Sequence, residues 1–311
     1  GLPTVPVHDM VIQPQKNDLV IGTHGRGVFI LDDITLLEEL SENVLASQFH
    51  LASVQPAIQL HRFDRGRRNM GHTRFTAPNP PEGAIIAYYV NPSMMESAED
   101  TTHGSTDITP RIDVDILDNN GTLVRRLNPL QGTKGTGIQR LVWDLRHSLS
   151  YDPKESDRVP FFRGQPRGPF VLPGTYEVRL SVGNGKTVRH IDVNGDPAIA
   201  ISDADRLVWH NTAQTLNHLM ATTRALVSST HQLEERLKQI RAAIKAHGKV
   251  SDTIHDSISE ITHDVETTLK KLEGEKTSGG ATLPGSPPIA TRVRQLYFAV
   301  EGATSLPTAE Q

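Results

Sequence analysis

Apolar residues keep three different rhythms along this chain, and each change of rhythm marks a change of architecture. The first rhythm is a set of short, almost wholly apolar runs at 9–12, Asp18–Thr23 and Val28–Leu31. A polar turn over 14–18 and the tight connection His24-Gly25-Arg26-Gly27 separate them. Runs this short, bounded by turn residues, predict strands covered on both faces. Leu36, Leu37, Leu40, Val44 and Leu45 then fall near helical spacing and predict a short helix. The second rhythm is alternation. Ile112, Val114 and Ile116 interleave with Arg111, Asp113 and Asp115, which predicts a half-buried strand over 110–118. Asn119-Asn120-Gly121 is a hairpin turn signal, and Leu123–Leu127 returns from it. Ala84–Val90, 137–145, 173–182 and 187–193 read as further strands. In the run over 137–145, Ile138, Leu141 and Trp143 are the expected core residues. Short strands with turns between them predict an antiparallel sandwich.

The third rhythm is helical. Ser202-Asp203 is a helix start, and Leu216, Leu219, Met220, Leu226, Val227, Leu233, Leu237, Ile240 and Ile244 recur at three and four. Thr223 and Thr230 interrupt that stripe, and Gly248 ends the helix. Ser251-Asp252 begins a second helix carrying Ile254, Ile258, Ile261, Val265, Leu269 and Leu272, and Gly274 ends it. A third carries Ile289, Val293, Leu296, Tyr297 and Val300. Narrow apolar stripes on polar helices predict antiparallel packing in a bundle. The expected fold is thus multidomain β plus α. A β segment with a short helix occupies 1–46, a linker 47–80, a β-sandwich 81–196 and an antiparallel helical bundle 200–311. The chain reads as a piece of a longer protein. It opens on Gly1 without an initiator Met, and Thr308 and Gln311 have the spacing of a capping box with no helix behind it.

Composition narrows the function classes. The 311 residues carry a formal net charge of −4 with both signs mixed, so no basic footprint for nucleic acid is present. With no cysteine, disulfides, thiolate metal sites and cysteine nucleophiles are excluded. No apolar run approaches the roughly 20 residues of a membrane-spanning helix. Aromatic residues make up 5%, which is low for a protein that holds sugars by stacking.

Candidate chemistry is sparse. Gly22, Gly25 and Gly27 suggest a phosphate cradle only if a helix follows, and a strand follows instead. A turn needing positive φ is the simpler reading. His24 and Arg26 sit on that turn and are surface candidates. Arg65, Arg67 and Arg68, within a basic stretch that also holds Arg62 and Arg74, form a second candidate, since an arginine cluster can hold an anion. His210 and His218 are eight apart, as are His255 and His263; about 12 Å along a helix is too far for one ion. Asp32 and Asp33 are adjacent at a strand end, where side chains diverge. No catalytic residue, cofactor or metal site is assigned from these patterns.

Two resemblances carry the reading further. Leu2-Pro3-Thr4-Val5-Pro6-Val7-His8-Asp9, Asp18-Leu19-Val20-Ile21-Gly22-Thr23-His24-Gly25-Arg26-Gly27 and Leu31-Asp32-Asp33 resemble the closing blade of large bacterial propeller proteins with sialidase-type and sortilin-like repeats, often labelled glycosyl hydrolases on repeat similarity alone. Those repeats often carry an Asp-box, Ser-x-Asp-x-Gly-x-x-Trp; here Ile30-Leu31-Asp32-Asp33-Ile34-Thr35 lacks its Gly and Trp. The helical region, including Tyr297 and Pro307-Thr308, resembles the tail of the same family. Ile116-Leu117-Asp118 with Gly121, Val142-Trp143-Asp144 and Leu172-Pro173-Gly174-Thr175-Tyr176 are similar to the Ig-like module of flagellar-hook capping proteins. The connection over 146–170, with Tyr151, Phe161 and Phe162, is longer than in that module. Trp143 and Tyr176 are expected in the core and not as sugar platforms. The resemblance implies a periplasmic or secreted protein. It also implies a partner, the propeller of the same chain, and leaves room for self-association through the helices. Two functions are open: a non-catalytic accessory region packing on or linking the propeller, or part of a sialidase-like hydrolase with its catalytic residues upstream. A cleft joining Arg65, Arg67 and Arg68 to Asp32 and His24 would favour the second.

Overall fold

The computed structural model describes residues 4–61, 79–96, 111–128, 136–153, 166–248, 251–274, 287–303 and 306. The chain is mixed α and β and divides into two compact units, 1–148 with 170–200 and 149–169 with 201–311.

The first unit opens with a three-stranded antiparallel meander, β1 (Val7–Gln13), β2 (Asp18–Thr23) and β3 (Val28–Leu31). Met10 pairs with Ile21 and Ile21 with Phe29; Val11 pairs with Val20 and Val20 with Ile30. The single helix expected over 36–45 is two, α1 (Thr35–Glu39) and α2 (Glu42–Ala46). Leu40 turns extended, and Ser41 caps the second helix by accepting a hydrogen bond from the Val44 N–H at 3.3 Å. Two short strands come next where the sequence shows no alternation, β4 (Phe49–Leu51) and β5 (Ala57–Ile58).

The remaining strands are β6 (Ala84–Val90), β7 (Ile112–Leu117), β8 (Leu123–Leu127), β9 (Gly137–Trp143), β10 (Gly174–Val182) and β11 (Gly185–Asn194); a short helix, α3 (Ser93–Glu96), comes after β6. They form a five-stranded sheet ordered β5-β11-β10-β7-β8 and a three-stranded sheet ordered β4-β6-β9. Only the β5–β11 pair among these is parallel. The inward residues of both sheets share one core: Ile86, Tyr88 and Val90 from β6, Val114 and Ile116 from β7, Trp143 from β9, and Val178, Leu180 and Val182 from β10. β6 is buried on its other face too, where Ala87 and Tyr89 pack with Leu36 of α1 and Ala52. That double burial explains its unbroken apolar run.

The exposed side of β7 carries its charges as expected. Arg126 lies across from Asp115 in register and binds it at 2.7 Å. Ile138, by contrast, is 47% exposed and does not belong to the core. The strand period of two puts Leu141 and Trp143 on one face and Ile138 on the other. Gly83 has φ +120°, and a side chain there would collide with the Trp143 carbonyl, so the entry to β6 demands glycine.

The second unit is built on α4 (Asp203–His247), α5 (Asp252–Glu273) and α6 (Ile289–Glu301). At about 1.5 Å per residue the 45 residues of α4 run roughly 67 Å. The Ser202 hydroxyl accepts from the Asp205 N–H at 3.1 Å at its start, and Gly248 closes it with φ +70°. α5 runs from Asp252 to its C-cap at Gly274, with Lys270 and Lys271 in the last turn, favourable for the helix dipole. His231 of α4 reaches Glu273 of α5 at 2.7 Å, which fixes the two as antiparallel neighbours. Trp209, Ala213, Leu216, Met220, Val293, Tyr297 and Val300 form the core against α6.

Candidate interaction surfaces

The meander is the most unusual surface of the first unit. A strand pair places paired residues on the same face, so Met10, Ile12, Ile21, Phe29 and Leu31 share one face and Val11, Val20, Val28 and Ile30 the other. Both faces are therefore apolar. On the first, Met10 is 62% exposed while Ile21 is buried; on the second, Val28 and Ile30 exceed 60%. Among the described residues, β1 and β3 are also the edges of this sheet. Contiguous apolar surface of this kind marks an interaction site.

The candidate residues of the β2–β3 turn stand at one end of this sheet. Gly25 and Gly27 have φ +74° and +82°, which the turn requires, and Thr23 closes it by donating from its N–H and its hydroxyl to the Gly27 carbonyl. The His24 N–H donates to the Pro6 carbonyl at 3.0 Å, and its ring stacks on His8 at 5.0 Å. Arg26 is exposed on the turn. The turn leads directly into β3, so the glycines lie in a strand–turn–strand and not at a helix N-terminus.

Asp32 and Asp33 lie at the opposite end of the sheet and act on the backbone. Asp33 has φ +48°, and its carboxylate accepts from both the N–H and the hydroxyl of Thr35, at 3.1 and 2.5 Å, turning the chain into α1. The Asp33 N–H in turn donates to Asp18 at 2.9 Å. Burial and the charge of Asp18 push the Asp32 carboxyl up, partly offset by Arg140, whose guanidinium donates to the Asp32 carbonyl. Six residues of β2 separate this corner from His24, about 20 Å of strand, so the two do not meet in one cleft. Arg65, Arg67 and Arg68 lie outside the described residues, as do Phe161 and Phe162.

Trp143 and Tyr176 are structural. Trp143 is fully buried and donates from its indole N–H to the Arg146 carbonyl at 3.0 Å; Tyr176 is 8% exposed and its hydroxyl donates to the Leu172 carbonyl at 2.7 Å. The rings meet edge to face at 5.3 Å. Where the long connection leaves and rejoins the first unit, Arg146 and Phe170 bridge, with the guanidinium 3.6 Å from the ring centroid. Inside the second unit the connection is anchored at both ends. The Ser150 N–H donates to the buried Asn217 at 3.1 Å, and the fully buried Tyr297 donates its hydroxyl to the Arg167 carbonyl at 2.5 Å.

The apolar residues of α4, read from the sequence as one stripe, separate into two rows. Leu216 and Leu237 are buried, and Thr223 and Thr230 fill the same row between them. Each threonine hydroxyl donates to the carbonyl four residues back, at 2.7 and 2.8 Å, so neither leaves a donor unpaired. Leu219, Leu226, Leu233 and Ile240 form a second row that is exposed by 43–49%. The difference between two spacings of seven offset by three residues was the signal available in the sequence.

Among the described residues, no group of three or more His, Asp or Glu side chains could hold a metal ion, and no helix is long and apolar enough to cross a membrane. No protein-family model matches the chain, and neither a curated protein nor a solved structure matches it.

Proposed function

We propose that this chain is a non-catalytic accessory region of a large bacterial propeller protein with sialidase-type and sortilin-like repeats. In this reading β1–β3 is most of the closing blade, the two facing sheets are an Ig-like module, and α4–α6 form a bundle that self-associates. The observation that carries the reading is the meander: a three-stranded sheet, apolar on both faces, that leaves Met10, Val11, Val28 and Ile30 mostly exposed. A propeller blade is such a sheet, covered on each face by a neighbouring blade. Charges near the candidate turns are engaged in holding backbone, as Asp33 and Arg140 do, which favours scaffolding over chemistry.

The test is a glycosidase and sialidase screen of the chain, run beside its longer parent. No turnover is expected from the chain. Turnover that disappears when His24, Arg26 or Asp32 is replaced by alanine would place catalysis here and overturn the proposal.

A further inference from the structure

We infer that the exposed row on α4 is the seam through which two copies of this chain pair, antiparallel, about a two-fold axis at the level of residue 231. The inference deepens the self-association in the reading above and is independent of what covers the meander.

The row is a coiled-coil seam by its spacing. Leu219, Leu226, Leu233 and Ile240 recur every seven residues, and Thr222, Ser229, Arg236 and Ala243 recur every seven beside them, three residues on. All eight are exposed. The resulting three-four alternation from Leu219 to Ala243 is the pattern by which one helix fills the holes of another. The intramolecular seam of α4 uses the separate row through Leu216 and Leu237, so the exposed row is not needed for its packing on α5 and α6. Arg236 is the only charged residue among the eight, which matches the depletion of charge at interface cores.

Size and charge select the occupant and its direction. Antiparallel pairing about residue 231 joins positions whose numbers sum to 462. Leu219 then faces Ala243, Ile240 faces Thr222, Leu233 faces Ser229 and Leu226 faces Arg236. Three of four layers set a large side chain against a small one, the arrangement that interdigitates without voids. Parallel pairing would instead set Leu against Leu and leave Ser229 and Thr222 facing themselves. It would also place Arg236 against Arg236, whereas the antiparallel pair holds the two about 15 Å apart. The chain is thus complementary to itself in one direction only. From Leu219 to Ala243 the row forms a strip about 36 Å long and about 10 Å wide on each copy, so the pair falls at the small end of specific interfaces, on the order of 1,000 Å² in total or less. A weak, micromolar dimer is the consequence.

Sedimentation velocity over a concentration series tests this, with circular dichroism to confirm that helix content is kept. A monomer–dimer equilibrium is expected. Leu233→Glu should weaken it roughly 100-fold by burying a charge against Ser229. Arg236→Leu should tighten it roughly tenfold by meeting Leu226 with an apolar group. Direction is read by cross-linking, since the chain has no native cysteine. Gln232→Cys lies beside the axis and should form a disulfide with its own copy. Gln239→Cys, displaced by about 24 Å from its equivalent, should not. A chain that stays monomeric at about 0.5 mM, well above the micromolar range, overturns the inference. So does a dimer indifferent to Leu233→Glu, or one cross-linked equally at 232 and 239.

Discussion

Two tyrosines show how much a single hydroxyl decides in the sandwich core. Burial pushes the Tyr88 hydroxyl up to about 12, and that hydroxyl has no hydrogen-bond partner among the described residues. Tyr176 is pushed up to about 12 by burial and, to a lesser degree, by Asp118, but its hydroxyl is spent on the Leu172 carbonyl. Tyr88→Phe should therefore stabilise the fold by up to about 1 kcal/mol, and Tyr176→Phe should destabilise it by about 1 kcal/mol. Thermal or urea unfolding of the two variants checks the opposite signs. Glu39 makes an acid-sensitive contact in this unit. Burial alone would raise its carboxyl, but hydrogen bonds from His50 and Ser53 outweigh it and hold Glu39 below its ordinary value of 4.5. A depressed carboxyl contributes stability above its unfolded-state value and loses it as pH falls through the folded one. The α1–β4 contact should therefore loosen below about pH 4.5, and Glu39→Gln should flatten that part of the stability profile. At this scale the sequence was informative where chemistry was absent. Trp143 and Tyr176 could be assigned to the core, where the two sheets bury them. The partners of Asp33 and Glu39 could not be read, because they lie at positive φ or across turns that pattern does not encode.

Elements were legible in proportion to their length and punctuation. α4 and α5 are bounded by Ser202 and Ser251 at their starts and Gly248 and Gly274 at their ends, residue types that mark helix ends in a sequence, although only Ser202 of the two serines caps through its side chain. β7 and β10 follow their alternation. β4 and β5 escaped because three and two residues carry no period, and each is held in place by its neighbours, β6 and β11. The 36–45 segment broke at Ser41 because a serine that caps a helix start competes with one that continues it. Ile138 is exposed because residues three apart on a strand face opposite sides, so it cannot share the inner face of Leu141 and Trp143. The meander makes an element-scale prediction. Val11→Lys and Ile30→Lys lie on an exposed face and should change stability by no more than about 0.5 kcal/mol, while Val114→Lys in the sandwich core should cost more than about 4 kcal/mol. Unfolding midpoints in denaturant compare the three directly. Comparable losses for all would mean that the meander face is packed in solution.

For the whole molecule, strands precede helices as the sequence pattern implies, and the structure gathers the chain into two units. The organising surprise is the segment 149–169, which leaves the strands near it in sequence and belongs to the helical unit. Ser150, Tyr151 and Arg167 each find partners there, through Asn217, Arg224 and Tyr297. Nothing in the sequence pattern could announce this, because the contacts join residues 67 to 130 positions apart. Central to the proposed role is a bare β-meander meant to be covered. Hydrogen-exchange mass spectrometry over 7–31, in this chain alone and with the proposed propeller joined to it, measures that most directly. Fast exchange in the chain alone beside protected strands β6, β7 and β10, and slow exchange once the proposed propeller is joined, is the expected result. Equal protection of β1–β3 in both would contradict it.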